Sequence, residues 1–235
     1  MPLFEHTDRL VRVLRILHNH RQNIADFYGS ILSSQVHGGG IRKLKDAFRA
    51  SVSERRGASF DRGNEAVQAF DARVATIFRQ VNALINVDPE EAHRVLFEWI
   101  VTLPNIDQKI AAMFIKFIVV YLDVWPAMLP YLYVPVDRVV LKILGEKLQV
   151  YVGDWKYYPS VKNPSGKLYV RGNNKSAQYA RFIAFQTELA EIAGQAHVHR
   201  ILVDEAWFIG HIFCNEYPLC HRCWAKEFCQ DALVN

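Results

Sequence analysis

An all-α fold is predicted from three observations. Apolar residues recur three and four positions apart through most of the chain, which is the helical period. No stretch sustains the alternation of a half-buried strand. The composition is that of an ordinary globular chain, with 51% hydrophobic and 22% charged residues, so disorder and collagen-like order are excluded. A length of 235 residues accommodates one large domain or two small ones.

The helical segments follow in order. Leu10, Val13, Leu14 and Leu17 mark the first, and residues 24–36 a second. Ala66 to Ile85 forms a third, with Val67, Phe70, Val74, Ile77, Phe78 and Val81 along one face. Pro89 suits a first helical position and opens a fourth through Ala92, Val95, Leu96, Trp99 and Ile100. Residues 110–121, 136–144, 178–193 and 203–212 complete the set. Residues 51–65 are polar and glycine-containing and read as an exposed loop. Residues 151–176 are rich in aromatics, Gly, Pro and Asn, and read as a long irregular connection or a small hairpin. Their Trp155, Tyr157, Tyr158 and Tyr169 suit either base stacking or packing of the loop on the core.

The formal charge of +4 is mild and permits a polyanionic partner without requiring one. Residues 110–122 make the longest apolar run, and Lys116 interrupts it, so no membrane span is expected. The first residues carry early charges and no apolar signal core, which points to an intracellular protein.

All four cysteines, Cys214, Cys220, Cys223 and Cys229, fall at the C-terminal end in a C-x5-C-x2-C-x5-C pattern. Disulfide frameworks spread cysteines to staple distant loops, whereas a tight cluster presents thiolates to one metal centre. Iron–sulfur and zinc chemistry both suit such a set, and His221 would serve as an alternative ligand for zinc.

Residues 101–122 place a short polar hairpin, Pro104 to Gln108, between two apolar helical stretches, with small Ala111 and Ala112 allowing close helix approach. About fifteen residues on comes Val136-Asp137-Arg138-Val139-Val140. Together these resemble the helix-hairpin-helix DNA glycosylase superfamily that contains endonuclease III. The family hairpin, L-P-G-hydrophobic-G-x-K-T-A, is matched by Leu103-Pro104-Asn105-Ile106-Asp107-Gln108-Lys109-Ile110-Ala111, and its V-D-x-H-V by residues 136–140. Ile31-Leu32-Ser33-Ser34-Gln35 is similar to the family's L-L-S-x-Q. The cysteine cluster, with Pro218 before its second cysteine, and the preceding residues 204–210 are similar to the iron–sulfur loop and its lead-in helix. The departures are Asn105 and Asp107 in place of the hairpin glycines, a first cysteine spacing one residue short, and no histidine after Asp137.

The resemblance implies a two-domain helical protein. Residues 26–136 would form a helical barrel with the helix-hairpin-helix near 100–122, and residues 1–25 with 137–235 would carry the cluster. It implies a monomeric DNA glycosylase acting on double-stranded DNA that holds a damaged or mismatched base, with strand nicking at the abasic site. Lys109 would be the Schiff-base nucleophile and Asp137 the carboxylate that stabilises positive charge on the sugar. A [4Fe–4S] cluster, rather than zinc, would sit on the four cysteines. Gln35 would fill the gap left by the extruded base. Asn105, Ile106, Asp107, Arg138, Arg222 and Lys226 would contact DNA.

Each residue also has a plainer role. Asp137 suits a helix N-cap, Lys109 a solvated first turn, and Gln35 a helix end before His37 and three glycines. The Asp107 charge should weaken phosphate binding unless its side chain turns away. Arg42, Lys43, Lys45, Arg49, Arg55 and Arg56 form a short basic stretch that suits either phosphate contact or a solvated face. A glycosylase without lyase activity, with Lys109 only a DNA contact, and an inactive helix-hairpin-helix DNA-binding protein are the alternatives.

Overall fold

The computed structural model describes residues 3–33, 36–53, 60–136, 138–151, 175–205, 213–214 and 219–229. Among them the chain is helical, and the β structure consists of one isolated antiparallel bridge, Phe4 to Tyr151. No helix among the described residues is long and apolar enough to cross a membrane. The chain divides into two compact units, Ala25–Pro135 and the pair of segments Met1–Ile24 and Val136–Asn235.

The unit Ala25–Pro135 is built on α2 (Gly40–Ser53), α3 (Phe60–Leu84), α4 (Pro89–Val101) and α5 (Gln108–Lys116). Helix α2 packs on α3 and α5, and α4 packs on α3 and α5. The seam is aromatic. Phe48 of α2 stacks on Phe70 of α3 at 4.0 Å, and both meet Phe114 of α5 edge-on at 5.4 and 5.5 Å. The periodic face of α3 behaves as its sequence suggests, with Phe70, Val74, Ile77 and Val81 all buried. Helix α4 starts where expected. The Asp88 side chain accepts the Glu91 N–H at 2.9 Å and Pro89 fills the first turn. Its buried face also includes His93 and Phe97, whose rings both meet Tyr133 edge-on.

The stretch 110–121 is not one regular helix. Helix α5 ends at Lys116 and the chain continues as a π-type turn over Phe117–Tyr121. That widened turn ends with the Leu122 N–H bonded to the Phe117 carbonyl and the Val124 N–H to the Ile118 carbonyl. A 3₁₀ turn, Pro126–Tyr131, follows Trp125, which is held at φ +58° while its indole N–H donates to Asn82 at 2.7 Å.

The two N-terminal segments expected from the sequence belong to one helix, α1 (Thr7–Ser33), whose residues up to Ile24 fall in the other unit. The residues between its apolar groups, His18 to Gln22, are polar but include no Gly or Pro to end the helix. Leu10, Val13, Leu14 and Leu17 are buried. Helix α6 (Arg138–Lys142) passes into a π-type turn, Ile143–Lys147. Helix α7 (Lys175–Ala196) buries Phe182, Phe185, Leu189 and Ile192. Phe4 and Tyr151 close on Phe185 at 5.3 and 5.8 Å, and the Leu3 N–H donates to Glu188 at 2.8 Å. The stretch 203–212, expected as a helix, begins within a short 3₁₀ turn, Arg200–Glu205, and its residues 206–212 lie outside the described residues.

Candidate functional site

The segment 102–107 joins α4 to α5 and turns tightly. The Leu103 N–H donates to the Ile100 carbonyl at 3.0 Å, and the Ile106 N–H to Leu103 at 3.3 Å. Leu103 and Ile106 are buried, so the turn is seated on the core by its apolar residues. Ile106 thus spends both its side chain and its N–H inside the protein.

Asn105 and Asp107, which stand where the family hairpin has glycines, behave differently. Asn105 is held at φ +60°, the left-handed region that asparagine enters more readily than other side-chain-bearing residues. Its amide donates to Glu65 of α3 at 3.2 Å. Asp107 is extended, at φ −107° and ψ 174°, and its carboxylate accepts the Ile110 N–H at 3.1 Å as the N-cap of α5. The carboxylate is therefore turned onto the helix end, which neutralises part of the positive helix terminus with the protein's own charge. Asn105→Gly should change stability little, since glycine enters the left-handed region freely and the hydrogen bond to Glu65 is exposed. Asn105→Val, β-branched at a left-handed position, should cost about 1–2 kcal/mol in urea unfolding.

Lys109 follows as the second residue of α5 and is half-buried. Beside it, Gln108 is buried with 8% exposure, and its Oε1 has no protein hydrogen-bond partner.

Asp137 and Gln35 lie outside the described residues, as do Arg55, Arg56 and the aromatics of the 152–174 segment. Arg138 opens α6. Three residues of the basic stretch have partners within their own unit. Lys43 donates to the Leu122 carbonyl at 2.6 Å, Lys45 stands 3.9 Å from Asp71, and Arg49 pairs with Asp46 and Asp71. Lys43 thus satisfies a carbonyl at a helix end, a role with no trace in local sequence.

The four cysteines are free thiols. Two short 3₁₀ turns carry three of them: Cys220–Arg222 runs into Cys223, and Lys226–Phe228 runs into Cys229. Cys223 and Cys229 are buried, Cys214 and Cys220 half-buried. Burial first, and then the neighbouring Cys223 and Cys229, push the Cys214 thiol up to about 11, Lys147 opposing and Cys220 adding to the rise. Burial likewise raises Cys223, against the Ala225 backbone N–H, with Cys229 and Cys220 adding to the rise. Raised thiols stay protonated at neutral pH, so thiolate ligation would require a cation to displace their protons. Among the described residues no three ligand side chains are close enough to share one ion. Arg222 and Lys226 are exposed on the same loop.

Comparisons with protein-family models, with curated proteins and with solved structures found no match to this chain.

Proposed function

We propose that the chain is a DNA glycosylase that extrudes and excises a damaged or mismatched base from double-stranded DNA and then nicks the strand. The observation that supports this best is the turn before α5. It carries Asn105 at the left-handed conformation that its glycine counterpart would adopt freely, and Lys109 four residues on in the first turn of a well-seated helix.

In this reading the neutral Lys109 amine attacks the sugar C1′, and the base leaves with the bonding electron pair and takes a proton. Loss of the ring oxygen bond to C1′ gives a Schiff base, and β-elimination then breaks the 3′ C–O bond. Asp137, assigned by resemblance, stabilises the positive charge that grows on the sugar. Asn105, Ile106 and Asp107 belong to the turn that meets the backbone, with Asn105 and the exposed Arg222 and Lys226 offering polar contacts. Cys214, Cys220, Cys223 and Cys229 would hold a [4Fe–4S] cluster, or zinc as the alternative, which would fold the loop and take no part in bond cleavage.

The test is a panel of duplexes carrying an abasic site or one of several damaged or mismatched bases, scored separately for base release and strand nicking. Release with nicking on at least one duplex is expected. Release alone would support the glycosylase without lyase activity. Binding with neither would overturn the enzyme in favour of a DNA-binding protein.

A further inference from the structure

The cysteine loop carries an aromatic contact that the metal chemistry does not explain. Phe213 precedes Cys214, and Trp224 follows Cys223. Their rings meet edge-on at 5.3 Å, and the Leu219 N–H donates to the Phe213 carbonyl at 2.9 Å. Trp224 also stacks on His20 of α1, with centroids 4.0 Å apart and planes within 2° of parallel. Both rings are half-buried, so the stack removes water from two faces while leaving the edges wet.

We propose that His20 is the positioning residue that anchors residues 219–229, which carry Cys220, Cys223 and Cys229, on α1 before any metal arrives. Among the described residues 219–229, the regular structure is two short 3₁₀ turns, which have little stability of their own. It therefore depends on side chains for its place. Trp224 sits directly beside buried Cys223, so a fixed Trp224 fixes that thiol. The order this imposes reduces what metal binding must otherwise supply in loop ordering.

The experiment uses the full chain, metal-free and reduced, as wild type, His20→Ala and His20→Phe. Iodoacetamide labelling is followed at each cysteine by mass spectrometry, with far-ultraviolet circular dichroism as the fold control. Cys223 and Cys229 should label about 5-fold faster in H20A, and H20F, which keeps a planar ring, should stay close to wild type. Equal rates in H20A and wild type would overturn the anchor, and so would H20F reacting as fast as H20A with the fold intact. A second arm rests on the proposed thiolate centre: protein loaded with iron and sulfide, or with zinc, should lose metal to a chelator about 10-fold faster in H20A. Wild type that takes up neither would overturn that centre while leaving the anchor to be decided by labelling. Loaded H20A that releases metal at the wild-type rate would overturn the anchor in the presence of metal.

Discussion

Under the proposed lyase chemistry, replacing Lys109 by glutamine should reduce by about 10³-fold or more the covalent adduct that borohydride would trap between the protein and an abasic-site duplex. The chemistry requires an amine lone pair at C1′. An amide nitrogen has its lone pair delocalised into the carbonyl and forms no Schiff base for borohydride to reduce. The substitution is structurally mild. Lys109 is half-buried at the second position of α5, glutamine has similar helix propensity, and removing a cation from a helix N-terminus is if anything favourable. Stability should stay within about 0.5 kcal/mol of wild type. Lost trapping is therefore a chemical readout and not a folding one. An adduct that survives in K109Q would move the nucleophile to another amine. Base release that survives without an adduct would leave Lys109 as a DNA contact.

Helical class was legible because burial follows the apolar period: Leu10, Val13, Leu14 and Leu17 in α1 and Phe70, Val74, Ile77 and Val81 in α3 are all buried. Helix ends were less so. The polar residues His18 to Gln22 resembled a boundary, but polarity does not end a helix without a glycine, a proline or a competing cap. The turn before α5 was legible in position and half legible in conformation. Asn105 took the left-handed conformation its replacement of glycine suggested, while Asp107 took the extended cap, a signal present in the sequence as an acidic residue before a helix. What local sequence cannot carry is partnership at a distance. Arg49 and Lys45 read as either phosphate contacts or a solvated face, and α3 brings Asp71 to both. His20 carries no signal in its local sequence because Trp224, its stacking partner, stands near the other end of the chain.

Phe70→Ala should destabilise the unit Ala25–Pro135 by about 3–5 kcal/mol in urea unfolding, the range for truncating a buried aromatic. Phe70 has 1% exposure and is the ring on which three helices converge. It stacks on Phe48 of α2, meets Phe114 of α5 edge-on, and touches Trp99 of α4 at 5.3 Å. Alanine would forfeit the buried area and three ring contacts, and leave a cavity that rigid neighbouring helices fill poorly. The loss is large against the roughly 5–15 kcal/mol that holds a typical domain. It would also reach the candidate site. Helix α3 meets the hairpin region through Phe70 against Phe114 of α5 and through Glu65 against Asn105. Loosening the first removes one support of α5 while the exposed Glu65 hydrogen bond, worth about 1 kcal/mol, and the buried Leu103 and Ile106 remain. DNA affinity in F70A should therefore fall together with stability, whereas K109Q should change chemistry alone. Phe70→Leu, which keeps most of the volume, should recover more than half of the lost stability. A loss below about 1 kcal/mol in F70A would show that the α2–α3–α5 seam does not depend on this ring.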